Sequence, residues 1–130
     1  MHVNSALVVD EIRLHEDGQV DLLGLREDLY FDQVPVILQS LSLFVELEIT
    51  PEDRGVKHVL ELRLIDHDGK VAQAAPIKFD IPADYERPTA HVDPTLFDVT
   101  FHRFGLYYLD LITDDVLARR LYLSVKKRDA

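Results

Sequence analysis

The feature that most constrains the fold is an alternation of apolar and polar side chains with a period of two. In the segment 43–49, leucine, valine and isoleucine alternate with Phe44 and two glutamates. The same alternation recurs in four other segments: 60–65, 77–81, 97–102 and 121–126. Successive side chains of a strand point to opposite faces, so each segment has one side suited to a core and one suited to water. The pattern predicts antiparallel sheet, because strands of parallel sheets are usually apolar on both faces.

Residues that favour turns separate these segments. Gly18 and Gly69 both follow an aspartate, and Asp-Gly favours a hairpin because both residues tolerate positive φ. Pro82 and Pro88 bound a longer loop, since proline interrupts a ladder of hydrogen bonds. Together these patterns predict about eight strands, over residues 4–14, 19–25, 37–49, 57–66, 71–81, 90–102, 106–113 and 116–126.

A single sheet of that many strands would leave its apolar face in water, whereas two sheets packed face to face bury it. We therefore expect an all-β chain that forms a two-sheet antiparallel β-sandwich with immunoglobulin-like hairpins. The length of 130 residues suits one domain, which we place over residues 1–130. The segment 29–42 fits the alternation less well, and we expect a loop there that leads into a strand across one end.

The charge of the chain bears on its partners. Lysine and arginine number 14 against 24 aspartates and glutamates, which gives a net charge of −10. Binding to nucleic acid needs clustered basic residues, and attraction to an anionic membrane needs positive charge, so neither partner is expected. No apolar stretch approaches the length of about 20 residues that spans a bilayer.

The absence of cysteine excludes disulfides, thiolate metal sites and a cysteine nucleophile. The residues 1–10 lack the basic start of a signal peptide, and their short apolar run ends at Asp10. From these two features we expect a cytoplasmic protein.

Three groups of residues resemble the turns and strands of an uncharacterised family of small bacterial single-domain proteins. They are Val9–Asp10 with Asp17–Gly24 and Pro35, then Gly55–His58 with Ile65–Lys70, and finally Phe104–Tyr107 with Asp110. The chain departs from the family pattern at residues 25–42, where a simpler connection is expected. The resemblance implies a β-sandwich of unknown function, and it implies no catalytic residue because none is assigned in the family.

Aromatic and apolar residues on the outward faces of the predicted strands are candidates for an interaction surface. They are Phe44, Tyr108, Ile112 and Tyr122. Monomers rarely leave a large apolar patch exposed, so adjacent side chains of this kind would favour self-association or a protein partner. The alternative is that the segment 25–42 covers them, which would favour a monomer.

Acidic residues in two loops are candidates for ligand binding. Glu52, Asp53, Asp66 and Asp68 could offer oxygens to Ca²⁺, and Tyr85 with its neighbouring acids could bind a carbohydrate. The alternative is that these are solvated hairpin tips, because the loops lack the dense acidic run of a calcium-binding motif. No cofactor is expected.

Motifs of catalysis are missing from the sequence. It has no Gly-x-Ser-x-Gly nucleophile elbow, and its glycines are scattered singly rather than gathered in a phosphate-binding loop. Its six histidines lack the spacing of a zinc motif, although His91 and His102 could meet from neighbouring strands. Tyr107, after Gly105, is either a tyrosine corner or an ordinary strand aromatic. We expect a non-catalytic interaction module, with loop-mediated binding of Ca²⁺ or carbohydrate as the alternative.

Overall fold

The computed structural model describes residues 1–129, which form ten strands in two five-stranded sheets. The strands are β1 (His2–Leu14), β2 (Val20–Arg26), β3 (Asp28–Phe31), β4 (Val36–Glu48), β5 (Val56–Ile65), β6 (Val71–Ile81), β7 (Thr89–Val92), β8 (Thr95–Phe101), β9 (Gly105–Thr113) and β10 (Val116–Lys127). A 3-10 turn at Pro51–Asp53 precedes β5. Over the described residues, no helix has the length and apolarity that a membrane crossing requires. The predicted all-β class with two sheets is confirmed.

Sheet A has the strand order β2-β1-β4-β7, and β8 also pairs with β4. The sequence predicts one strand over residues 90–102, but the structure has two, because Asp93 and Pro94 interrupt the ladder. Proline has no N–H to donate, and the carbonyl of Pro94 instead accepts a bond of 3.0 Å from the N–H of Leu43. Both short strands run antiparallel to β4, so they form one broken edge.

Sheet B has the strand order β3-β10-β9-β5-β6. Its strands are antiparallel except for β3, which runs parallel to residues Ser124–Lys127 of β10. The loop predicted within 25–42 is therefore wrong for the most part, because residues 28–31 pair as β3 and the residues from Val36 onward belong to β4. With the break at Pro94, β3 raises the predicted count of eight to ten.

The inner faces of both sheets contribute to one hydrophobic core. Leu43 and Leu47 of β4, and Leu62 and Leu109 of sheet B, have no exposed surface. These residues occupy alternate positions of their strands, as the period of two predicts. Full burial of one such side chain stabilises the fold by about 1.5–3 kcal/mol, so the core is the main source of stability.

An aromatic cluster closes one end of the core around Tyr107. Its ring meets Phe101 edge-on at 5.1 Å between centroids and His67 at 4.8 Å. The Tyr107 hydroxyl donates a bond of 2.9 Å to the carbonyl of Arg103, four residues earlier in the chain. Of the two alternatives for Tyr107, this bond to the preceding corner favours the tyrosine corner over an ordinary strand aromatic.

Replacing Tyr107 by phenylalanine removes this hydroxyl and leaves the carbonyl of Arg103 without its donor. We expect the free energy of unfolding to fall by about 1–2 kcal/mol, measured by urea denaturation. The matched control is Tyr108→Phe, which keeps the ring contacts of Tyr108 and is expected to cost less than about 0.5 kcal/mol. Equal effects of the two variants would contradict the role of the corner.

Candidate functional site

The last strand, β10, is paired along only part of one side. β9 pairs with it from Val116 to Val125, but β3 pairs with only Ser124–Lys127 on the other side. The N–H of Ser124 points toward β3 and donates to the carbonyl of Glu27 at 3.1 Å. Because main-chain groups alternate in direction along a strand, the N–H groups of Tyr122 and Arg120 point toward the same side, where β3 is absent. This stretch is an unfilled strand edge.

β1 shows the same arrangement in sheet A. β2 pairs with its second half, from Val8 to Leu14, while β4 pairs with residues 2–9 on the other side. The chain leaves β2 after Arg26 and enters β3 at Asp28, so it crosses from sheet A to sheet B within two residues. β2 and β3 are thus two halves of one interrupted strand, and one half lies at an edge of each sheet.

A groove of 430 Å³ lies beside the open half of β10. The lining comes from β1, from residues 26–28 where the chain crosses between the sheets (the crossing segment), and from β10. The residues are Ala6, Leu7, Val8, Arg26, Glu27, Asp28, Arg120, Leu121, Tyr122 and Ser124. The guanidinium of Arg119 donates to the carbonyl of Val3 at 3.1 Å and so joins β10 to β1. The crossing at Glu27 closes the other end, which leaves about five residues of β10 between the two closures.

The arginines of the groove are already bound to carboxylates. Arg26 contacts Asp10 with bonds of 3.1 and 2.7 Å, and this hydrogen bonding lowers the pKa of Asp10. Arg120 contacts both oxygens of Asp110 at 2.7 and 2.8 Å. Each guanidinium is therefore held by two parallel bonds, a geometry that fixes its orientation.

The predicted aromatic surface is divided between the two sheets. Tyr108 and Tyr122 are neighbours on the outer face of sheet B, with ring centroids 5.4 Å apart and Arg120 over the Tyr108 ring at 4.7 Å. Ile112 belongs to the same face but is buried. Phe44 lies on the outer face of sheet A, where it stacks on His91 at 5.3 Å.

The segment 25–42 does not cover Tyr122. Its strand β3 extends the edge of sheet B rather than lying over the outer face, and the Tyr122 side chain remains 65% exposed. The exposed ring stands at the rim of the groove. The structure therefore connects one predicted aromatic with the open strand edge, a feature that the sequence reading missed.

The four predicted calcium ligands are not brought together. Glu52 and Asp53 precede β5, while Asp66 and Asp68 follow it, and a strand of ten residues separates the pairs by about 30 Å. Asp66 accepts the N–H groups of Asp68 and Lys70 at 2.9 and 3.0 Å, which orders the hairpin tip. Within residues 1–129, no group of three or more histidine or acidic side chains is arranged to hold a metal ion.

The carbohydrate candidate Tyr85 lies in the loop between β6 and β7, where it lines a groove of 530 Å³ together with Phe44 and His91. The Tyr85 hydroxyl donates to the carbonyl of Thr89 at 2.6 Å, and its ring packs against the core. This side chain serves to hold the loop between β6 and β7. His91 lies beside Phe44 and is not part of a metal cluster within the described residues.

Asp53 instead belongs to a buried polar cluster around His58. Its carboxylate accepts the N–H and the hydroxyl of Thr50, both at 2.9 Å. Nε2 of His58 lies 2.8 Å from the Asp53 carbonyl, and Nδ1 lies 2.8 Å from the Asp114 carboxylate. A carbonyl and a carboxylate only accept, so both ring nitrogens must carry protons, and His58 is an imidazolium.

The pKa of His58 reflects the balance of these contacts. Burial opposes the charge, but the bonds to the Asp53 carbonyl and the Asp114 carboxylate raise the pKa above its ordinary value. Burial also opposes the charge of Asp114, yet its bonds to His58 and to the Val59 N–H lower the pKa of that carboxyl. The cluster contains an ion pair between the buried His58 and the exposed Asp114 that ties the end of β9 to the start of β5.

The sequence contains one feature related to the open edge, but that feature alone does not predict the edge. Residues 26–28, Arg-Glu-Asp, interrupt the alternation between two strands that lie in different sheets. The interruption shows that the chain stops pairing there, but not which strands it pairs with. The half-paired state of β10 depends on those long-range partners.

A family model described as a family of unknown function (DUF6941) matches residues 4–126. The resemblance to an uncharacterised family is thereby confirmed. A search among curated proteins gave no significant match.

Comparison with solved structures gave matches of low sequence identity. The alkylpurine DNA glycosylase AlkC of Pseudomonas fluorescens, bound to DNA containing an abasic site analogue, has 10% identity and a TM-score of 0.50. The match covers 77% of this chain and 28% of that one. The β-glucosidase of Listeria innocua in complex with isofagomine has 13% identity and a TM-score of 0.49, over 78% of this chain and 15% of the enzyme. At these identities the likeness to the glycosylase concerns the fold alone.

The buried imidazolium makes stability depend on pH. The pKa of His58 is raised on folding above its ordinary 6.5, so its stabilisation is complete below that pH and is lost as pH rises through the folded pKa. The difference in unfolding free energy between the wild type and His58→Gln is therefore expected to shrink above that pH. Urea denaturation between pH 5.5 and 9 measures it, and the exposed His102→Gln is the control. A difference that stays constant over this range would contradict the charged state.

Proposed function

The chain belongs to this family of unknown function, and we propose that it is a non-catalytic domain that binds an extended segment of another protein. The observation that carries the proposal is the open half of β10 beside the groove. An added strand would satisfy the main-chain groups of Arg120 and Tyr122, while its side chains would contact the groove walls. Binding of this kind takes affinity from main-chain bonds and specificity from pockets for alternate side chains.

The walls of the groove support this proposal. Leu121 and Ala6 are apolar and lie on opposite sides of the groove, one from each sheet. Tyr122 adds an exposed aromatic ring at the rim. Aromatic side chains with apolar surroundings are enriched where proteins bind one another.

We further infer that the two sheets form an immunoglobulin-like sandwich. The tyrosine corner at Tyr107 lies near the start of β9, as it does near the start of strand F in that fold. The order β10-β9-β5 in sheet B then corresponds to strands G, F and C. In this assignment β10 is the last strand, and its outer edge is the one that remains partly open.

Selection from a random peptide library displayed on phage tests the binding mode. We expect peptides that perturb the amide signals of Arg120 and Tyr122 in NMR spectra of the protein. In Tyr122→Pro the amide that faces the groove is lost, whereas the ladder to β9 does not use it. We expect the selected peptides to bind Tyr122→Pro at least about tenfold more weakly than they bind Tyr122→Ala. Tyr122→Ala removes the ring but keeps the amide.

The two variants separate strand addition from simple contact with the ring. Equal affinity in Tyr122→Pro and Tyr122→Ala would show that only the aromatic ring matters and would reject strand addition. Selection of peptides that leave the signals of β10 unchanged would reject this site altogether.

A further inference from the structure

A strand added beside β10 would present its side chains alternately to the two faces of sheet B. The residue opposite Tyr122 would lie on the outer face with that ring, because neighbours in a sheet share a face. The residues before and after it would point inward, toward Leu121, Ala6 and Val8. The two inward positions therefore suit apolar side chains. The position opposite Tyr122 suits a side chain that complements the outer face.

Most charged residues around the groove are paired; among residues 1–129, Glu27 in its lining and Arg119 at its end, which donates to the Val3 carbonyl, have no ion-pair partner. Arg120 is bound to Asp110, and Asp28 on the crossing segment is 3.3 Å from Nζ of Lys126. Glu27 lines the groove, is exposed, and forms no ion pair with any of residues 1–129. The chain as a whole has a net charge of −10. An occupant with a positive charge would complement both the groove and the surrounding surface.

The Tyr122 ring adds a second site for a cation. The neighbouring Tyr108 already has Arg120 over its ring, at 4.7 Å from the centroid. Tyr122 meets Tyr108 edge-on and is 65% exposed. An aromatic face of this kind attracts an ammonium or guanidinium group.

We propose that the partner segment has the pattern apolar–basic–apolar, with its lysine or arginine placed between the Tyr122 ring and the Glu27 carboxylate. This inference rests on the proposed strand addition and specifies the chemistry of the occupant. The two apolar residues that flank the cation enter the groove beside Leu121.

A second copy of the chain is the main competitor for the groove. Its edge strand β6 contains Ile77, Lys78 and Phe79, which have the proposed pattern. Two copies that each have a net charge of −10 repel one another, so the charge favours a basic partner over self-association. Sedimentation of the purified chain distinguishes the two occupants.

Three capped heptapeptides test the charge of the occupant: Ser-Thr-Val-Arg-Val-Thr-Ser and its versions with glutamine or glutamate in place of arginine. Titration followed by NMR is expected to give an affinity at least tenfold higher for the arginine peptide than for the glutamate peptide. In Glu27→Lys this ratio is expected to fall below threefold. The control Glu16→Lys makes the same change of net charge at the distant hairpin tip and is expected to preserve the ratio.

The outcomes separate this inference from the proposed function. Equal binding of the three peptides, with shifts at Arg120 and Tyr122, would overturn the basic occupant and leave strand addition intact. No binding of any of them, while library peptides still bind in a manner sensitive to Tyr122→Pro, would overturn the residue pattern alone. A dimer in sedimentation that Lys78→Glu dissociates would assign the groove to a second copy and overturn the basic partner.

Discussion

The arrangement of the two sheets depends on which strands make main-chain hydrogen bonds with the interrupted strand formed by β2 and β3. β2 pairs with β1 in sheet A, and β3 pairs with β10 in sheet B, with only Glu27 between them. Because the chain leaves sheet A before it joins sheet B, β2 pairs with only the second half of β1, and β3 pairs with only the last residues of β10. The crossing ties the two sheets together, and it also leaves the first half of β10 with unpaired groups. Since buried main-chain groups must be paired, this half of β10 has to remain accessible to water or to another chain.

The sequence determines which face of each strand is buried far better than it determines which strands are neighbours. The alternation around Leu43, Leu62 and Leu109 predicts their burial because it reflects a local property, the two-residue period. The assignment of Phe44 and Tyr122 to one surface failed because it required the pairing of β4 and β10 with the rest of the chain. Those strands lie in different sheets, a long-range relation with no local signal. The short β3 was missed for the same reason, since only its pairing with β10 makes its four residues a strand.

Charged residues on the two sheets have distinct roles in this structure. The exposed pair Arg26–Asp10 contributes little to stability, because water screens it. Asp110 is buried on the outer face of sheet B, and removal of its partner Arg120 would leave a costly unpaired carboxylate. The pairs nevertheless share one effect on binding, which is to neutralise the arginines of the groove. Glu27 then remains as an acid of the groove lining without an ion pair, and a basic segment complements it and the net charge of −10.

The outermost strands of both sheets carry features that discourage strand addition. β6 contains Pro76 and Lys78, and the edge formed by β7 and β8 is interrupted at Pro94 and by Asp98, whose φ is +52°. β2 contains Gly24 at φ +69°, and β3 has only four residues. Proline, charge, irregular backbone and short length all discourage the pairing of edges between molecules. Residues 119–123 of β10 contain no proline and no residue of positive φ, although Arg119 and Arg120 are charged, and the crossing segment and β1 stand on either side of them. These walls restrict access to the open edge, which lowers its tendency to pair with other chains and aggregate.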